Sequence, residues 1–105
     1  MSREACAQMI LNQAAWKHSE WQAKHKKLSH FEGFIGPGLE KRIENEGYEA
    51  GRAAENVAWG KDTAEETFNE WLGSPGHKAN MLGEYEEFGI AGVDKYWTAV
   101  FATKL

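Results

Sequence analysis

Between Arg3 and about His25, apolar or inward-type positions recur at steps of three and four: Ala7, Ile10, Leu11, Ala14, His18, Trp21 and His25. The stretch holds neither Gly nor Pro and is rich in Ala, Gln, Lys and Glu. The pattern predicts one long amphipathic helix with those residues as its inward stripe. "SHFEGFIGPG", residues 29 to 38, breaks it with three glycines and a proline. Pro37 to Glu46 restarts as a short helix, with Leu39 and Ile43 inward and Gly47 as its stop.

"RAAENVAWG", residues 52 to 60, is a short apolar run ending in glycine, the pattern of a turn leading into a strand. "DTAEETFNEWLG" is a punctuated helix. Thr63 and Glu66 have capping-box spacing, Phe68, Trp71 and Leu72 make the buried face, and Gly73 closes it. "SPGHKANMLG" follows as a helical turn, with Ser74 as N-cap and Pro75 at the first position. The end reads as a hairpin: "FGIAGV", a tight turn at Asp94-Lys95, then "YWTAVFATKL". In that last strand both alternating sets are partly apolar, so helices are expected above and below the sheet.

Bulk properties narrow the field. A chain of 105 residues, 42 % apolar, makes one domain with one packed interior. The five tryptophans are expected in that interior. A formal net charge of −4 argues against a nucleic-acid binder, which needs clustered cations. The one basic cluster, Lys24-His25-Lys26-Lys27, ends the first helix and offsets the negative end of its dipole. No run approaches the roughly 20 apolar residues of a membrane span, and "MSREACAQ" does not resemble a signal peptide. The lone Cys6 rules out an internal disulfide and reads as a small buried hydrophobe of the helical stripe.

The four histidines divide into two kinds. His18 and His25 lie on one face of the first helix with nothing polar spaced to join them, and read as structural. His30 and His77 sit at a loop and a helix start beside serine and glycine, where a backbone can be bent to present a side chain. Glu55 is a carboxylate inside the otherwise apolar "AAENVAW", where it must be paired, hydrogen-bonded or shifted in pKa. Two histidines and a glutamate supply the ligand types of an open zinc site and equally those of an acid/base pair. Their spacing matches no local metal-ligand rule.

"HSEWQAKHKKLSH", "GYEAGRAAENVAWG", "WLGSPGHKANML" and "FGIAGVDKYWTAVF" follow one another in the order and spacing of a bacterial CAP, or SCP, domain. The chain resembles that superfamily of cysteine-rich secretory, antigen 5 and pathogenesis-related 1 proteins from about residue 11 to 103. The resemblance implies an α+β fold: a three-layer α-β-α sandwich with a mostly antiparallel central sheet. It also implies a cleft with two histidines and two acidic residues, which in some members holds a divalent metal such as Zn2+. His30 and His77 match the family histidines and metal ligands, Glu55 the glutamate of its "GEN" motif, and Asn56 the asparagine that follows. Ser74, Pro75 and Gly76 look like the scaffold that aims His77.

Ser74 stands where eukaryotic members carry the second acid. Glu70, four residues earlier and about 40° away around the helix, is the candidate substitute. The family's usual first helix is absent ahead of the match, which leaves an expectation of a minimal or trimmed single domain, 1–105, inclined to self-association.

Three functions follow from the resemblance. The first is an extracellular or envelope-associated binding module for an unknown small molecule, lipid or protein, with its cleft formed by His30, Glu55, Asn56, Glu70, Ser74 and His77. The second is a metal-dependent, peptidase-like hydrolase, with Glu55 and His77 catalytic. The third is a small lipid or sterol carrier with tryptophans along an apolar groove.

Overall fold

The computed structural model describes residues 3–33 and 36–105. Helix α1 spans Arg3–His25 and α2 Leu39–Asn45, followed by strand β1, Ala50–Trp59. Helices α3, Ala64–Leu72, and α4, Pro75–Leu82, then lead to β2, Glu87–Val93, and β3, Tyr96–Lys104. The apolar run of "RAAENVAW" is itself strand rather than the turn before one. Part of the glycine-rich break predicted over 29–38, residues 34 and 35, lies outside the described residues, as do the first two residues of the chain.

The three strands form one antiparallel sheet in the order β1-β3-β2, so β3 is the central strand. Its hairpin with β2 turns at Asp94 and Lys95, both with positive φ of 50° and 68°, the two-residue geometry whose twist matches paired strands. Successive residues of β3 face opposite layers. Val100 and Ala102 join Ala7, Leu11, Ala14 and Ala15 of α1, together with Ile43 of α2 and Tyr48. Ala99 and Phe101 join Ala58 of β1 and Trp71 of α3. Helices therefore cover both faces of the sheet in a three-layer α-β-α arrangement, as the two apolar alternations of β3 require.

The stripe buried by α1 differs from the expected one. Ala7, Leu11, Ala14 and His18 are inside, but the stripe continues through Ala15, Ser19 and Gln22 and leaves His25 exposed. The reason is what lies opposite. Ser19 Oγ, whose one hydrogen goes to the Ala91 carbonyl, accepts from Thr98 Oγ1 at 2.8 Å, and Gln22 Nε2 donates to the same threonine oxygen at 3.2 Å. A polar threonine in the sheet thus draws two polar helix residues inward, a pairing that hydrophobic periodicity does not register. Cys6, one step off the stripe and so about 100° around the helix, is exposed rather than buried. The tryptophans divide likewise: Trp71 is in the core, but Trp16 and Trp59 are largely exposed.

Both sheet edges are capped by helix side chains. At β2, Asn12 Oδ1 accepts from the Ile90 N–H at 3.0 Å and Ser19 Oγ donates to the Ala91 carbonyl at 2.9 Å. At β1, Trp71 Nε1 donates to the Val57 carbonyl at 3.2 Å and Asn80 Nδ2 to that of Glu55 at 3.3 Å.

The α1 backbone lies directly on Gly89: an added Cβ would be 2.4 Å from Asn12 N and from Leu11 C. A methyl group there forces helix and sheet apart. We expect Gly89→Ala to cost roughly 1–3 kcal/mol, the usual penalty of overpacking, read as a lower urea midpoint at unchanged slope.

Candidate functional site

The site grows from Glu55. Its place in β1, opposite Val100 of β3, sends its side chain to the layer that holds α1 and α2. There it is almost wholly buried, its side chain 2 % exposed. Arg42, the residue before the inward Ile43 of α2, is buried with it: Nη2 donates to Oε1 at 2.9 Å and Nη1 lies 2.8 Å from Oε2. The same Nη2 donates to the His30 carbonyl at 3.0 Å, fixing the loop after α1. His30 Nδ1 stands 3.0 Å from Glu55 Oε1. A carboxylate only accepts, so Nδ1 carries the hydrogen and Nε2 is directed away from the pair. The His30 side chain is 53 % exposed, so that outward nitrogen belongs to a surface-accessible ring.

His18 completes the group from α1. Its Nε2 lies 2.6 Å from the Ser29 carbonyl, which can only accept, so Nε2 donates. Its Nδ1 faces Glu32 Oε2 at 2.9 Å. His18 Nε2 is also 4.0 Å from Glu55 Oε1. The polar partners of this structural histidine come not from α1 but from the 29–33 loop, which folds back over the helix and supplies Glu32 and Ser29. Gln22 supports the same loop, its Oε1 accepting from the Ser29 N–H at 3.1 Å.

Asn56, next along β1, faces the opposite layer and is fully buried. Its Nδ2 donates to the His77 carbonyl at 3.1 Å, while Asn80 Nδ2 donates to its Oδ1 at 2.9 Å. These amides fasten α4 to the strand. The His77 ring stands 6.4 Å from that of Trp71. His30 and His77 thus approach the β1 edge from opposite layers, and among the described residues no contact joins them. Nor do any three His, Cys, Asp or Glu side chains there gather closely enough to hold a metal ion.

Ser74 occupies the N-cap position of α4, but its side chain makes no capping hydrogen bond. Its N–H donates to Trp71 and its carbonyl accepts from Lys78. Gly76 lies inside α4 with open space where a Cβ would be. The bend before His77 is therefore made by Gly73 and Ser74 between two helices. Glu70 is exposed and pairs with Lys61 at 3.8 Å.

Three residues of the arrangement escaped the sequence reading: Arg42, Glu32 and Asn80. Arg42 had a signal, since a carboxylate expected inside needs a cation, and one of three arginines adjoins the inward Ile43. Glu32 had only its nearness to His30, and Asn80 had none.

The electrostatics follow from these contacts. Burial by itself would push the Glu55 carboxyl up, but hydrogen bonds from His30 and Arg42 and their charges outweigh it and hold it below its ordinary value. The hydrogen bond to Glu55 raises the His30 pKa, against burial and the Arg42 charge.

Comparison with known proteins places this geometry in context. The model of a family described as "Cysteine-rich secretory protein family" matches residues 8–101. Among solved structures, an extracellular protein containing an SCP domain from Bacillus anthracis superposes at TM-score 0.85 with 27 % identity. That match covers 90 % of this chain and 32 % of the Bacillus protein. An outer surface protein of Borrelia burgdorferi matches at TM-score 0.78 and 19 % identity, over 91 % of this chain and 74 % of its own. A cysteine-rich secretory protein of Staphylococcus aureus matches at TM-score 0.67 and 16 % identity, over 91 % and 30 %. The chain therefore spans about a third of the Bacillus and Staphylococcus proteins. No curated protein sequence matches it.

Two measurements test the site. Arg42→Met leaves Glu55 buried without its cation and should cost about 3–5 kcal/mol, most of it recovered in Arg42→Met/Glu55→Leu. Chemical denaturation of both variants reads the difference. An NMR titration should place the His30 midpoint above its ordinary value of about 6.5, returning toward it in Glu55→Gln. Because the folded chain binds that proton more tightly, the stability it contributes is full below the ordinary value. It is lost as pH rises through the raised one.

Proposed function

The chain belongs to the CAP, or cysteine-rich secretory protein, family, and on that footing we propose that it is a binding module whose recognition site is the cleft around His30 and Glu55. The observation that carries this reading is the pre-set imidazole. His30 Nδ1 is tied to a buried carboxylate that is itself tied to Arg42, while the ring stays half-exposed. A ring held in one tautomer and orientation meets a ligand without ordering cost. The extracellular and outer-surface descriptions of the Bacillus and Borrelia proteins support an extracellular or envelope-facing setting for the module.

The donors also bear on a metal. For a divalent ion such as Zn2+ the donor would be His30 Nε2, with Glu55 orienting the ring; His77 stands on the opposite side of β1 and would have to reach across the strand edge to share the ion. One or two imidazoles are fewer than the three protein ligands usual at a catalytic zinc, so such a site would be weak and completed by a bound ligand. Such an ion would supply a positive contact for an oxygen or nitrogen of that ligand.

Binding is favoured over hydrolysis by the condition of Glu55. A general base working near neutrality needs a carboxylate free to take a proton. Here the carboxylate is enclosed by Arg42 and His30 and holds protons less tightly than usual.

Calorimetric titration with zinc at about pH 7.5, where histidine is mostly neutral, tests the metal-assisted form. Binding by the wild type and its loss in His30→Ala/His77→Ala is the expected result. Equal heats from both proteins would remove the histidines from the site.

A further inference from the structure

We propose that the first half of the β1 edge takes up an extended, basic peptide segment as an added strand. In an antiparallel pair, residues alternate between those bonded to the neighbouring strand and those whose N–H and C=O turn outward. The Glu55 and Val57 carbonyls accept from Asn80 and Trp71, so from Arg52 onward, past the register shift between Ala50 and Arg52, the outward set of β1 is the odd-numbered one. Ala53, opposite Ala102 in the same unbroken register, belongs to that set. Beyond Glu55 the edge is covered by Trp71 and Asn80. At Ala53 the outward N–H and C=O have no partner among the described residues, and no large side chain from Ala50, Gly51 or Ala53 stands in the way.

The surroundings give that edge the form of a groove. A depression of about 320 Å³ runs along Ala50 to Ala53, with Glu40 of α2 on one side and Tyr85 on the other. Tyr85 also borders a second hollow of about 280 Å³, walled by Phe68, Met81, Phe88 and Phe101. An added strand would send alternate side chains to opposite sides. One set meets Glu40, and the other is directed past Tyr85 toward the apolar hollow. Main-chain bonds to Ala53 would supply affinity and the two sides specificity, the division of work in strand addition.

Charge selects the guest. The one cation of the groove, Arg52, is already held: its Nη1 donates to the Glu84 carbonyl at 3.2 Å and its guanidinium lies 4.9 Å over the Tyr85 ring. The acidic side chains left to face a guest across the two hollows are Glu40 and Glu86, since the Glu87 carboxylate accepts from the Tyr48 hydroxyl at 2.6 Å on the α1 side of the sheet. A segment alternating basic with apolar side chains fits this lining, and an acidic one is repelled. The inference does not rest on the metal or the His30 cleft.

The test uses the isotope-labelled chain and a capped hexapeptide of alternating lysine and valine. Amide shifts should gather at Ala50 to Ala53, Tyr85 and Phe88. Methylating alternate peptide nitrogens should weaken binding about tenfold, a loss of about 1.4 kcal/mol. Ala53→Pro should do the same, because the N–H it removes faces the guest and not β3. Should that variant fold poorly, the methylated peptide decides the matter on the unaltered protein. Equal binding of the methylated peptide or of a glutamate-valine counterpart overturns the proposal, as do shifts confined elsewhere. So does a concentration-dependent dimer that moves the same amides without peptide, since the edge then serves a second copy.

Discussion

The side of the sheet covered by α1 and α2 is organised by one buried carboxylate. Glu55 sits in the sheet with its charge enclosed, and an ionised group there is tolerated only if compensated. Arg42 from α2 and His30 from the loop after α1 bond it directly, and His18 from α1 stands just beyond. Each partner comes from a different segment, so the requirement to neutralise one carboxylate also sets how those segments meet. The His30 carbonyl accepts from the same guanidinium, so the loop is held at its backbone as well as its ring.

This arrangement separates roles that look alike in a list of residues. Glu55 and Arg42 are inside and act by holding. His30 is half outside, with Nδ1 tied to Glu55 and Nε2 turned away from it. His18 has both ring nitrogens engaged, by Glu32 and Ser29, so it secures the loop and has none left for a ligand. His77 is fastened through its backbone to Asn56 on the other layer, which leaves its ring beside Trp71. The same division governs the edge of β1. Trp71 and Asn80 close the half at Glu55 and Val57, and the half toward Ala50 borders an open groove.

The helices and the hairpin were legible in the chain because their signals are local. Capping by Thr63, the stop at Gly47 and the paired apolar alternation of β3 each follow from a few neighbouring residues, and all three are seen. The internal placement of Glu55 was equally legible, since a lone carboxylate within "AAENVAW" has few other readings. The resemblance of "AENVAWG" with "SPGHKANML" to the CAP family carried His30, Glu55 and His77 into one expected cleft. The chain by itself thus determined the layers, the sheet and the need of Glu55 for a partner.

The identity of those partners was settled only by the tertiary structure. Arg42 and Glu32 reach the site across long sequence separations, through the packing of α2 on β1 and the return of the loop over α1. Ser19 and Gln22 turn inward because Thr98 lies opposite them, and Cys6 turns outward because the stripe follows those polar contacts. Periodicity counts apolar residues on one element and cannot see a hydrogen bond offered by another. Polar burial depends on what waits across the interface, and that is known only once the layers have closed.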